Sequence, residues 1–110
     1  MIHKMRLDPV PFVATKKGLK LIEIRLNDEK RQTIKKNDTI EFENTETGEK
    51  LIVQVQAVRK YKSMADLVRS EDFNKTGGIY QEPGHWSKNI DSYYVRADQE
   101  KYGLLLIEIK

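Results

Sequence analysis

Three charged residues, Lys20, Glu23 and Arg25, stand within one short alternating segment at residues 19–26. In an extended strand, Glu23 and Arg25 share one face, with their side chains about 7 Å apart. Lys20 falls at the entrance of that strand, where a twist or a bulge brings its ammonium toward Glu23. Burying such charges without partners is costly, so they must pair with each other, with another element or with a ligand.

Two roles are open for this trio. In a ligand site, Arg25 makes a forked contact to a phosphate or carboxylate, and Glu23 either accepts from a ligand's amino group or acts as a general base. The charged neighbours favour an ionised Glu23, which suits hydrogen bonding better than proton transfer. The alternative is a ladder of surface ion pairs on a strand that faces solvent.

Positive charge is concentrated in the part of the chain that contains this segment. Residues 1–38 hold ten lysines and arginines against five carboxylates, whereas residues 39–110 hold ten against twelve. A basic region of this kind favours an anionic partner such as nucleic acid or a nucleotide phosphate. A soluble protein with mixed surface charge is the alternative.

Aromatic residues offer a second kind of contact, because a base that stacks on an exposed aromatic face gains about 1–3 kcal/mol. Trp86 and Tyr80 lie in residues 74–86, a segment interrupted by glycine and proline that we interpret as a loop. We predict that Trp86 provides such a stacking platform. The alternative is that Trp86 packs inward and anchors the loop.

The sequence lacks the residues that several kinds of catalytic and metal-binding site require. The chain has no cysteine, which removes disulfides, thiolate nucleophiles and sulfur-ligated metals. His3 and His85 lie far apart in sequence, and Gly77 and Gly78 lack the pattern of a phosphate-binding loop. A serine triad through His85 has no nucleophile-elbow motif to support it. We therefore predict no metal site and no cofactor.

Apolar periodicity predicts about five strands with short helices between them. Strands are expected at residues 2–8, 19–26, 39–44, 50–58 and 104–109, and helical segments at 11–17, after Ser63, at 87–94 and at 97–102. Phe12 and Val13 are expected to face inward, and the nearly all-apolar final strand is expected to be central. Together these elements predict an α+β domain with a curled sheet or a small barrel.

The length of 110 residues predicts a single domain that spans residues 1–110. Apolar residues make up 38% and charged residues 34%, which predicts a small, highly solvated domain. No apolar run approaches the roughly 18 residues of a membrane helix, and the first residues lack the apolar stretch of a signal peptide. A cytoplasmic protein with no membrane partner is expected.

The order of these signals resembles the ASCH domain family, within the PUA-like fold, over essentially the whole chain. The resemblance centres on Gly-x-Lys-x-x-Glu-x-Arg at residues 18–25. Further matching stretches keep the expected order, and they are RLNDEKR at 25–31, DTIEF at 38–42, YKS at 61–63 and EKYG at 100–103. The resemblance implies a PUA-like small β-barrel of about five or six strands, with short peripheral helices and a cleft beside the second strand.

The resemblance also implies RNA binding or RNA processing. Some small ASCH proteins are similar to amidohydrolases that deacylate acetylated cytidine, and others to ribonucleases. The amidohydrolase pattern is a lysine, a threonine three residues later and a distant glutamate. Lys20 matches the lysine, Glu23 stands where the threonine nucleophile would be, and Glu71 is the nearest candidate for the distant glutamate.

We expect the protein to hold RNA or a nucleotide-like ligand in the basic cleft, because Glu23 leaves no obvious nucleophile. Lys20, Glu23 and Arg25 would read the ligand, while Lys30 and Arg31 would meet phosphates, with plain solvation of a turn as the alternative for that pair. One alternative function is a hydrolase of a modified nucleoside or RNA phosphodiester, with Lys20 and Glu23 catalytic. Another is a protein-interaction domain that uses an open strand edge.

Overall fold

The structure, a computed structural model, describes all 110 residues. Its strands are β1 (Ile2–Leu7), β2 (Ile22–Leu26), β3 (Thr39–Asn44), β4 (Lys50–Tyr61) and β5 (Leu104–Ile109). Its helices are α1 (Pro9–Lys16), α2 (Met64–Ser70), α3 (Pro83–Tyr93) and α4 (Arg96–Tyr102), with 3-10 turns at Arg31–Thr33 and Phe73–Thr76. The predicted α+β class is confirmed.

The five strands form one curled sheet in the order β1-β3-β4-β5-β2. β1 and β3 run parallel, and the other neighbours run antiparallel. β4 pairs with β3 through its first half and with β5 through its second half, and its register shifts between Val55 and Ala57. Such a bulge bends a strand and increases its twist, so β4 turns the sheet into a half-barrel with β1 and β2 at its two edges.

The sheet has an apolar cluster on each face, which explains why β5, flanked by β4 and β2, is apolar except for Glu108. Leu105, Ile107 and Ile109 of β5 belong to the inner cluster with β1, β3 and β4. Leu104 and Leu106 belong to the outer cluster, which also contains residues of α2 and α3. The prediction that the last strand is central is therefore confirmed.

Prolines mark the starts of two helices, and one of them accounts for a correction. Pro9 and Pro83 are the first residues of α1 and α3, where the missing N–H would be unpaired in any case. The loop predicted at residues 74–86 is therefore partly wrong, since it contains a 3-10 turn and the first turn of α3. In α1, Phe12 is buried as predicted, but Val13 faces solvent.

Candidate functional site

The charged trio lies at the inner face of β2, where the half-barrel is open. Glu23 pairs in register with Ile107, and Arg25 pairs with Leu105, so both side chains share the face of the inner apolar cluster. β2 is an edge strand, and the other edge strand, β1, lies across a cavity of about 690 Å³. The cavity is bounded by the end of β1, the start of α1, β2 and residues of α3. Its volume falls in the range of small-ligand sites.

Lys20 and Arg25 hold the carboxylate of Glu23 from two sides. The ammonium of Lys20 donates to Oε1 of Glu23 at 3.0 Å. Arg25 donates to Oε2 through Nη2 at 2.8 Å and through Nε at 3.2 Å. The same Nη2 donates to the carbonyl of Arg6 at 2.8 Å and so links the two edges of the sheet. The alternative of a solvent-facing ladder is wrong, because the side chains of Lys20, Glu23 and Arg25 are only 5%, 9% and 15% exposed.

These contacts set the protonation state of Glu23. Burial acts to raise its pKa, but the charges and hydrogen bonds of Lys20 and Arg25 outweigh burial and lower the pKa to about 2. The backbone N–H of Ile24 also donates to Oε1, at 3.3 Å. Four donors therefore occupy the two carboxylate oxygens, which is about their full capacity. The sequence-based roles of general base and acceptor for a ligand's amino group both fit poorly with this saturation.

Lys20 reaches Glu23 because it precedes the strand rather than belonging to it. β2 begins at Ile22, so the predicted strand at residues 19–26 is too long. The backbone N–H of Lys20 donates to the carbonyl of Ala14 at the end of α1, at 3.1 Å. Gly77 has a φ of +82°, and a Cβ there would lie 2.9 Å from the backbone N of Lys20. Contacts from α1 and from the segment after the second 3-10 turn thus position the lysine.

Tyrosines and an amide form a further wall of the cavity. Tyr80 donates to Oδ1 of Asn89 at 2.9 Å, and its pKa is raised to about 12 by burial and by the charge of Glu23. The hydroxyl of Tyr93 donates to Asp8 across the cavity rim. Tyr94 lies beside the guanidinium of Arg25. Sequence analysis considered Tyr80 beside Trp86 for stacking, but it assigned no site role to Asn89, Tyr93 or Tyr94, because α3 reaches β2 only through long-range packing.

Three predicted contact residues lie away from the cavity. The prediction that Trp86 offers an exposed stacking face is wrong, because Trp86 is 3% exposed and packs in the outer cluster against Phe73, with ring centroids 6.0 Å apart. Lys30 and Arg31 do not line the cavity. Arg31 donates to Asp28 at 2.7 Å within a local turn, and Lys30 is exposed beside it.

Glu71, the candidate for a distant catalytic glutamate, belongs to a separate ion network. Its carboxylate accepts from Nε and Nη2 of Arg59, at 2.7 and 2.8 Å, and from the hydroxyl of Tyr61. Arg59 also pairs with Glu108 at 3.1 Å. Glu71 does not line the cavity and shares no hydrogen bond with Lys20 or Glu23. The network instead ties the end of α2 to β4 and β5.

The chain shows no cluster of three or more histidine and carboxylate side chains that could hold a metal ion. None of its helices combines the length and the apolar character needed to cross a membrane.

The curled sheet, its peripheral helices and the cavity beside the second strand define a PUA-like α+β domain. The model of the ASCH domain family matches residues 5–110, and the chain therefore belongs to the ASCH domain family. No curated protein matches the chain significantly.

Three solved structures are similar to the chain in fold. The crystal structure of the hypothetical protein PH0355 is 33% identical, with a TM-score of 0.88 over 100% of this chain and 98% of that one. The solution structure of protein PF0455 from Pyrococcus furiosus is 31% identical, with a TM-score of 0.79 over 100% and 96% of the two chains. The ASCH domain from Lactobacillus crispatus JV V101 is 14% identical, with a TM-score of 0.68 over 98% and 79%, and it is similar in fold.

Proposed function

We propose that this ASCH domain binds RNA or a nucleotide-like ligand in the cavity between β1 and β2. The observation that carries the proposal is the buried trio of Lys20, Glu23 and Arg25 on the cavity floor. A structural ion pair needs no cavity beside it, whereas these charges line a space of about 690 Å³. RNA is the kind of partner generally ascribed to ASCH domains.

The walls of the cavity suit a base or a sugar. Tyr80, Tyr93 and Tyr94 all line it, together with the apolar surface of Pro9 and Val10. Aromatic faces accept any base by stacking and so tolerate sequence variation. A charged floor with aromatic walls is the combination that single-stranded nucleic acid sites use.

A binding role is favoured over hydrolysis by the state of the candidate catalytic groups. A pKa of about 2 leaves Glu23 ionised and weakly basic at neutral pH, far from the value that suits a general base. No serine, threonine or cysteine takes the place of Glu23 beside Lys20, and Glu71 is held by Arg59 and Tyr61 in another network. The proposed role is therefore recognition, with Lys20 and Arg25 as the contact residues.

An NMR titration of the ¹⁵N-labelled protein with a panel of short single-stranded RNAs at low salt tests the proposal. We expect chemical-shift changes at residues of β2, the end of β1 and α3, with affinity that falls as salt rises. Arg25→Ala is expected to abolish these changes. The control is Arg69→Ala, which removes an exposed arginine of α2 that pairs only with Asp66.

Three outcomes would count against the proposal. If a folded Arg25→Ala protein bound RNA as well as the wild type does, the trio on the cavity floor would not be part of the RNA-binding site. Shifts spread evenly over the basic surface would indicate non-specific attraction. No response to any RNA or nucleotide would favour the alternative of a protein-interaction domain that uses the open edges of β1 and β2.

A further inference from the structure

The floor of the cavity offers hydrogen-bond donors but no vacant acceptor. Lys20 has three N–H donors and uses one, on Glu23. Arg25 donates through Nε and Nη2 to Glu23 and through Nη2 to Arg6, and the side chain of Tyr94 lies beside its guanidinium. The oxygens of Glu23 already accept four hydrogen bonds, including one from the backbone of Ile24. A ligand group that reaches this floor must therefore bring acceptors.

The floor also carries one excess positive charge. Lys20 and Arg25 face a single carboxylate, and all three side chains are largely removed from water. The other charged residues of the cavity, Arg6, Asp8 and Glu46, are exposed at the mouth, where water screens them. Because an uncompensated buried charge is costly, a ligand that brings one negative charge to the floor is favoured.

We propose that the innermost ligand group is an oxyanion with a single negative charge, held by Lys20 and Arg25, with Glu23 as the counterion that fixes both cations. A phosphodiester of RNA has this chemistry, and the nucleoside attached to it would lie along Tyr80 and Tyr93. This inference rests on the proposed function, because it takes the same cavity as the binding site. It differs by assigning the floor to the backbone of the nucleic acid, so that the bases lie against the walls.

A matched pair of ligands distinguishes binding through the phosphodiester from binding through the base and sugar. The dinucleotide UpU contains one phosphodiester, and uridine contains the same base and sugar without it. We expect UpU to shift the amides of β2 and uridine to bind at least about tenfold more weakly, as the loss of a charge-assisted contact predicts. Inorganic phosphate should compete with UpU, and sodium acetate at equal ionic strength tells whether a carboxylate serves as well.

Two substitutions test the residues. Lys20→Met removes the excess charge while Arg25 still pairs with Glu23, and it is expected to weaken UpU binding about 10- to 100-fold. The control is Lys30→Met, an exposed lysine away from the cavity. Glu23→Gln raises the net charge of the floor and is expected to tighten UpU binding by about tenfold or more. If Glu23 instead accepts a hydrogen bond from an amino group of the ligand, Glu23→Gln should weaken UpU binding.

The outcomes are distinguishable from those of the proposed function. Uridine that binds in the cavity as tightly as UpU would overturn the oxyanion floor and leave nucleotide binding intact. The same holds for unchanged UpU affinity in folded Lys20→Met protein, and for weaker binding in folded Glu23→Gln protein. If the Glu23→Gln protein does not fold, the affinity of the Lys20→Met protein for UpU tests the oxyanion proposal on its own. If RNA, UpU, uridine and phosphate all fail to bind, both proposals fall.

Discussion

We expect the buried carboxylate of Glu23 to contribute to the stability of the fold. Its pKa is lowered from 4.5 to about 2, and at about 1.36 kcal/mol per pKa unit this corresponds to about 3 kcal/mol in favour of the ionised form. Glu23→Gln keeps the size of the side chain but removes the charge, and its amide group turns donors toward Lys20 or Arg25. We expect the variant to lose about 3 kcal/mol of unfolding free energy at pH 7, as the breaking of a buried pair predicts.

Urea unfolding of wild type and Glu23→Gln, followed by circular dichroism from pH 7 to pH 2, measures this term. A carboxyl group with a lower pKa in the folded state adds stability above its unfolded pKa and loses it as the pH falls through the folded value. The difference between the two proteins should therefore be constant at neutral pH and shrink from about pH 4.5 to about pH 2. Other acids with lowered pKa values titrate in both proteins and cancel in the difference.

Glu29→Gln is the matched control, since Glu29 is an exposed carboxylate a few residues away. Its effect should stay within about 0.5 kcal/mol, as for ordinary surface substitutions. A loss below about 1 kcal/mol for Glu23→Gln at pH 7 would refute the reasoning. So would a difference that does not depend on pH, because that would mean the loss comes from packing and leaves the ion pairs without effect.

Three further predictions concern the surroundings of the site. Gly77→Ala should cost about 1–3 kcal/mol more than Gly78→Ala and weaken ligand binding, because both glycines have positive φ but only a Cβ at Gly77 meets the backbone of Lys20; equal losses in denaturant unfolding would contradict this. Trp86 is the one tryptophan, and its fluorescence should be only weakly quenched by acrylamide and should not change when ligand binds. Quenching that changes with ligand would support the stacking role of Trp86. Glu71→Gln should lower stability by about 1–3 kcal/mol and leave ligand affinity unchanged, and a loss of affinity in folded protein would connect the two ion networks.

Elements with a strong local pattern were predictable from the sequence. The hairpin of β3 and β4 and the helix that begins after Ser63 follow the expected periodicity, and the side chain of Ser63 accepts from the backbone N–H of Asp66 at 3.2 Å. Residues 74–86 were misinterpreted because proline was taken only as a loop signal. Pro83 instead begins a helix, and that helix directs Trp86 into the core.

The candidate site was predictable only in the part that lies close in sequence. The spacing of Glu23 and Arg25 on one strand face, with Lys20 at its entrance, is a local property and corresponds to the observed contacts. The wall that contains Asn89 and Tyr93 depends on where α3 packs, so these two residues carry no local signal of their role. Burial of the trio likewise depends on sheet order, because β2 borders the cavity only by pairing with β5 at the end of the sheet.

The composition of the trio argues against a purely structural role. A buried ion pair kept for stability alone is replaceable by apolar side chains, often at no cost, and it is neutral when complete. Here a second cation is present beside a carboxylate that one arginine already satisfies through two hydrogen bonds. Lys20 adds charge and unused donors at a cavity wall, and the close approach of Gly77 holds its backbone in place. We therefore expect this cavity to bind an anion that neutralises the excess charge.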